Sequence, residues 1–167
     1  TDILRKNKIK LDENCYYVDM EYVTYPIPHV QTICFMKENV YRYRIGSQGQ
    51  SVGIEKVQQN ECDYNRVLCS LLNFYNQLCK EIPCTAAQKH YIAGIIARVV
   101  AGKLKIMLSF PGNQKKKKEL EAFDKKIKNS YPEIYYGNIN AGVSVLRRSR
   151  YMMYYPASIL VRAKYYR

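Results

Sequence analysis

Between positions 64 and 78 apolar side chains recur every three or four residues: Tyr64, Val67, Leu68, Leu71, Leu72, Tyr75 and Leu78. That spacing lays one stripe along an α-helix. Pro83 ends the pattern. A second stripe, Ala87, Tyr91, Ile95, Ile96, Val99 and Val100, follows Thr85, a residue type that caps helix starts. Together the stripes predict a packed helical hairpin. Pro111-Gly112-Asn113 breaks the chain again, a lysine-rich helix is predicted over 114–129, and Pro132 opens a short turn. Over 144–167, Val145, Leu146, Met152, Met153, Ile159 and Leu160 mix with Arg147, Arg148, Arg150, Arg162, Lys164 and Arg167.

The first third reads differently. Ile3, Leu4, Ile9 and Leu11 suit a short amphipathic helix with a trailing turn at Asp12-Glu13-Asn14. Asp19 stands where it would cap a second short helix, with Tyr22 and Val23 turned inward until Pro26 and Pro28 end it. Two β-rich stretches follow, 31–35 and 40–45. In the second, Val40, Arg42 and Arg44 alternate with Tyr41, Tyr43 and Ile45. A polar loop, Gly46-Ser47-Gln48-Gly49-Gln50-Ser51, closes the pair. The expected fold class is therefore α+β and mostly helical, with a small β element at about 31–45 and a helical bundle from 54 onward. An unpaired edge of that β element would invite dimerisation or segment exchange, or the basic tail would fold back over it.

Composition narrows the function classes. The formal charge is +13, and from Lys103 to Arg167 fifteen Lys or Arg face four acids, Glu119, Glu121, Asp124 and Glu133. Such a field suits nucleic acid, anionic lipid headgroups or phosphorylated substrates, or else a solvated surface. The 17 tyrosines, with no tryptophan, leave many hydroxyls that need a partner or a wet edge. The six cysteines form no Cys-x-x-Cys and lie in no ligand pattern with histidine, so no metal site is expected. Val67-Leu68-Cys69 and Gln77-Leu78-Cys79 suit buried, reduced thiols, which favours the cytosol. The most apolar run, Tyr91 to Leu108, is interrupted by Arg98, Lys103 and Lys105 and is not expected to span a membrane. His29 and His90 are isolated and read as structural or exposed. The chain opens without Met and inside a helical pattern, as an excised segment would.

Two stretches carry a family resemblance. Leu11-Asp12-Glu13-Asn14-Cys15-Tyr16-Tyr17-Val18-Asp19-Met20-Glu21-Tyr22, followed by Val40-Tyr41-Arg42-Tyr43-Arg44-Ile45-Gly46-Ser47-Gln48-Gly49-Gln50-Ser51-Val52, resembles the acceptor-side segment of bacterial family-2 glycosyltransferases, which have the A-type nucleotide-sugar fold. Ser47-Gln48 stands where Arg-Glu is usual in that family. The resemblance covers about the first 55 residues closely and the helical remainder only loosely. It implies that 1–55 is the C-terminal part of a catalytic domain and 56–167 a basic helical region.

The resemblance further implies an inverting transferase that moves a sugar from a nucleotide-sugar donor to a glycan or lipid-linked acceptor in cell-envelope polysaccharide synthesis. Asp19 would be the general base toward the acceptor hydroxyl, supported by Glu21, because inversion needs a carboxylate to take that proton. An acid held at a helix start stays ionised and ready to accept. Arg42, Arg44, Gln48, Gln50 and Ser51 would bind the diphosphate or sugar. The nucleotide-binding strands and an Asp-x-Asp site for Mg or Mn would precede Thr1, so this segment alone is expected not to turn over a sugar nucleotide, and no cofactor is expected within it. The basic tail, with its interleaved tyrosines, would touch the anionic inner face of the membrane from the cytoplasm. Two other classes remain. One is a nucleic-acid-binding module using Lys115 to Lys118, which ranks lower because no RNA-recognition or helix-turn-helix signature is present. The other is a protein-interaction domain whose acids have no chemistry.

Overall fold

The computed structural model describes residues 2–39, 41–42 and 54–165. Its α-helices are α1 (Asp2–Lys6), α2 (Asp19–Thr24), α3 (Ile54–Gln59), α4 (Glu61–Gln77), α5 (Ala86–Ser109), α6 (Gln114–Ser130), α7 (Pro132–Tyr136), α8 (Ala141–Arg148) and α9 (Tyr154–Tyr165), with a 3-10 turn at Ile27–His29 after α2. The chain is mostly helical, as expected. The small β element is not: residues 31–39, 41 and 42 carry no strand, while 40 and 43–45 lie outside the described residues. A strand is completed by a partner backbone, and neither stretch has one among the described residues. The tail accordingly folds onto a helix, with α9 packed along α5.

α5 is the axis of the domain. Its apolar residues run right round the helix, and Ile92, Ile96, Val100 and Leu104 are each at most 2% exposed, the pattern of a helix buried on nearly all sides. α3, α4, α6, α7, α9 and the 3-10 turn all pack against it. The hairpin of α4 and α5 forms as the stripes predicted, except at the start of α5. Ala87 and Tyr91 are exposed there. Lys103, 5% exposed, sits in this core with its ammonium on Glu61 of α4. Its aliphatic stem is buried while its charge is paired.

Capping sets the helix starts. Thr85 Oγ1 accepts from Gln88 N–H at 3.2 Å, and Gln88 Oε1 accepts from Thr85 N–H at 2.9 Å, a reciprocal capping box. The same glutamine's Nε2 donates to the carbonyls of Ile27 at 3.1 Å and Val30 at 3.3 Å. One side chain thus starts α5 and fixes the 3-10 turn that follows α2. Asn113 caps α6 by accepting from Lys116 N–H at 2.9 Å, and Asn140 caps α8 by accepting from Val143 N–H at 3.1 Å. Pro132 begins α7 rather than a bare turn.

The cysteines also depart from expectation. Cys34, Cys62, Cys69 and Cys79 are exposed, and Cys15 and Cys84 half-buried. Cys69 follows Leu68 in sequence but falls off the buried stripe that continues through Leu71, so the helix turns it to solvent. Their apolar neighbours therefore say nothing about redox compartment.

Candidate functional site

Residues 12–30 are laid across α4 and the start of α5. Tyr16 N–H donates to Asp63 Oδ2 at 3.2 Å, and the Cys15 thiol points at the Asp63 carbonyl at 3.7 Å. These contacts pin the segment to the first turn of α4. Asn14 and Tyr17 both take positive φ, 51° and 71°. Asparagine tolerates that conformation, whereas for a bulky tyrosine it is an outlier of the kind that concentrates at functional sites. Tyr17 is held there by packing its ring edge-on against Tyr64, with centroids 5.0 Å apart.

α2 has six residues, too few to persist alone, so what it buries decides how it sits. The inward side carries Glu21 and Thr24, 1% and 0% exposed, whereas Tyr22 and Val23, expected inside, are more than half exposed. Apolar character misplaced them because Glu21 finds a specific partner: its Oε2 accepts Asp12 N–H at 2.9 Å. Asp12's own carboxylate accepts the Ser70 hydroxyl at 3.2 Å. The other oxygen, Glu21 Oε1, is buried with no hydrogen-bond partner among the described residues. Burial, and then the neighbouring Asp12 carboxylate, push the Glu21 carboxyl above its ordinary value of 4.5.

This buried acid makes a pH-dependent prediction. Because its folded titration is raised, the stability that goes with the protonated form is present below the ordinary carboxyl range and is lost as pH rises through the folded value. Glu21→Gln keeps an acceptor for Asp12 N–H and removes the charge. It should therefore raise stability at neutral pH, with the gain vanishing toward pH 4. Glu21→Ala orphans the same N–H and should cost about 1–3 kcal/mol. Urea titrations at several pH values check both; equal effects of the two substitutions would contradict this account.

With Glu21 inward, Asp19, Met20 and Val23 face the opposite way. Together with Tyr64, Tyr91, Ile95, Arg98 and Val99 they line a cleft of about 300 Å³ between α2, α4 and α5. Asp19 is the first residue of α2; Val18 precedes the helix without a side-chain cap, so Asp19 lies one position inside the place expected for it. Tyr64 forms a rigid wall, donating its hydroxyl to the Val99 carbonyl at 2.9 Å. It passes so close to Gly102 that a Cβ there would stand 2.0 Å from its oxygen. Glycine is what admits the ring. Burial first, then Tyr17 and Asp19, push the Tyr64 phenol above its ordinary range. Tyr91 is 60% exposed at the rim. The cleft therefore offers a carboxylate, a guanidinium and an open aromatic ring over an apolar floor, a combination suited to a ligand with hydroxyls on one face and C–H groups on the other.

The sequence-predicted residues are thus divided. Asp19 is in the cleft and Glu21 is on the other side of α2. Arg42 is exposed and is not among the residues lining that cleft. Arg44, Gln48, Gln50 and Ser51 lie outside the described residues. Sequence reasoning missed Arg98, Tyr91 and Tyr64 as site residues. The available signal is Arg98 itself, a charge within the apolar run Tyr91 to Val100.

A wider cleft, about 500 Å³, opens where residues 7–10 approach the C-terminal half of α4; Lys8, Lys10, His29, Asn73 and Glu81 are among its lining. Among the described residues no group of three His, Cys, Asp or Glu side chains is placed to hold a metal ion. No described helix is long and apolar enough to cross a membrane. No family model matches this chain, and neither a curated protein nor a solved structure does.

Proposed function

We propose that this chain is the acceptor-side part of an inverting family-2 glycosyltransferase, with residues 1–55 completing an A-type nucleotide-sugar fold and Asp19 as its general base. The observation that carries this reading is that α2 exposes Asp19 in a cleft beside Arg98 and Tyr91 while burying the neighbouring acid, Glu21. In the proposed step, an Asp19 carboxylate oxygen takes the acceptor hydroxyl proton as the acceptor's own oxygen bonds to the anomeric carbon. The bond to the nucleotide diphosphate breaks on the opposite face, and the diphosphate leaves with the electron pair. Tyr91 would pack against the acceptor ring and Arg98 would hold a hydroxyl or an acidic substituent. The donor-binding strands and their metal ion would belong to the rest of the enzyme, and no step assigned to these residues passes through that ion.

Binding of the acceptor can be measured on this chain directly. Titrating a panel of di- and trisaccharides into isotope-labelled protein should shift the amide signals of Asp19, Tyr91 and Arg98, and Tyr91→Ala should weaken binding about tenfold, the loss of one aromatic contact. Shifts confined to Lys8, Lys10 and Asn73 would instead put the ligand in the wider cleft and defeat the assignment.

The same reading places the enzyme in the cytoplasm at the inner membrane face. Lys115, Lys118, Arg148 and Arg150 are exposed, as are Met152, Met153, Ile159 and Leu160. Each such cation contributes about 1 kcal/mol near anionic lipid. Co-sedimentation with vesicles containing phosphatidylglycerol, and none with purely zwitterionic vesicles, is the expected result; equal binding to both would remove this part of the proposal.

A further inference from the structure

Residues 78–85, between α4 and α5, fold into a tight turn. Leu78 and Ile82 form an isolated bridge, Cys79 N–H donates to the Ile82 carbonyl at 2.9 Å, and Glu81 N–H returns to Gln77 at 2.9 Å. Cys79 takes φ 64°, in the left-handed region, a conformation that a non-glycine residue keeps only where its surroundings impose it. The turn brings two thiols together: Cys79 Sγ lies 3.1 Å from Cys84 Sγ. A disulfide needs about 2.05 Å between sulfurs, so bond formation asks for about one ångström of movement within a loop. Both cysteines are reduced here, with Cys79 exposed and Cys84 half-buried.

We propose that Cys79 and Cys84 form a reversible dithiol–disulfide site, oxidised by a low-molecular-weight disulfide. The exposed Cys79 thiolate attacks one sulfur of the small disulfide, whose S–S bond breaks and releases one thiolate. The Cys84 thiolate then attacks the Cys79 sulfur of the mixed disulfide and expels the second. The protein loses two electrons and two protons, and the oxidant is reduced to two thiols. Exposure assigns the order, since an external disulfide reaches Cys79 first. Burial, and then the adjacent Cys79, push the Cys84 thiol above its ordinary value of 9.0, while Lys89 opposes the shift, in keeping with a resolving rather than an attacking role. Closing the ring would fix the turn that carries Glu81, Ile82 and Pro83, which line one wall of the wider cleft.

Peptide mapping tests this, because trypsin cuts after Lys80 and separates the two cysteines into peptides 67–80 and 81–89. The folded chain is treated with glutathione disulfide, its remaining thiols are alkylated, and it is digested without reductant. The two peptides should be recovered joined. The joined species should persist in Cys69→Ser, which removes the other cysteine of peptide 67–80, and disappear in Cys79→Ser and on treatment with dithiothreitol. Cys84→Ser should instead carry glutathione on Cys79. Circular dichroism of each variant confirms that the fold is retained. Recovery of peptide 81–89 alkylated while Cys34, Cys62 or Cys69 carries glutathione would overturn the proposal, as would a joined species that depends on Cys69.

Discussion

Replacing Asp124 with Ala is expected to cost about 3–5 kcal/mol, lowering the melting temperature by about 10 °C. Asp124 is fully buried in α6, and its two oxygens take three donors: Arg147 Nε at 3.0 Å, Arg147 Nη2 at 2.7 Å and the Tyr151 hydroxyl at 2.6 Å. The remaining guanidinium nitrogen, Nη1, donates to the Tyr135 carbonyl at 2.8 Å, and the guanidinium lies 3.7 Å from the centre of the Tyr135 ring. Burial, and then the hydrogen bond to Asp124, push the Tyr151 phenol above its ordinary range. The cluster ties α6, α7, α8 and the turn before α9 to one another. That turn is itself unusual, with Arg150 and Tyr151 both at positive φ, 48° and 61°, so the hydroxyl anchor offsets a backbone cost. Removing the carboxylate leaves a largely buried cation without its partner, which is where the large penalty comes from. Asp124→Leu combined with Arg147→Met should recover most of the loss, since neither charge is then stranded. Chemical unfolding of both variants checks this; a loss below 1 kcal/mol for Asp124→Ala would show that the cluster is not what joins the C-terminal helices. It also bears on the basic tail, because Arg147, expected among its surface charges, is half-buried and paired with Asp124.

What could be read from the sequence follows the range of the forces involved. Helices α4, α5 and α6 were legible because a 3.6-residue apolar stripe is a local pattern, and Thr85 marked a helix start because capping acts within one turn. Residues 31–35 are rich in strand formers, but strand propensity does not supply a partner, and among the described residues no pairing backbone completes a strand there. The orientation of α2 was misread for a similar reason. Tyr22 and Val23 outrank Glu21 on any hydropathy scale, yet the Asp12 N–H, nine residues earlier, satisfies the glutamate and turns it inward. No window centred on α2 contains that fact. Tyr91 continues the apolar stripe in sequence, yet it stands 60% exposed at the rim of the cleft. Asp19 is legible from its motif, while Arg98, its companion in the cleft, comes from 79 residues further along the chain and becomes a cleft residue only because α4 packs against both α2 and α5.

In an enzyme that joins this segment to its donor-binding half, Asp19→Asn should lower kcat by about 10²–10⁴-fold, the range for loss of a general base. The fold should be nearly unaffected. Asp19 is exposed and caps no helix through its side chain, so the substitution removes only a favourable charge at a helix start, about 0.3–1 kcal/mol. KM for the acceptor should change little, because asparagine keeps the shape and most of the hydrogen bonding. Glu21→Gln is the matched comparison, one turn face away on the same six-residue helix. It should leave kcat within a few-fold of the parent, since a side chain 1% exposed against α4 cannot reach a ligand in the cleft. Tyr91→Ala and Arg98→Ala should raise KM more than they lower kcat, as loss of ground-state contacts does. An Asp19→Asn enzyme that keeps one third or more of its kcat would show that another group takes the proton. Equal losses from Asp19→Asn and Glu21→Gln would show that both changes act through the position of α2, leaving the cleft without a base.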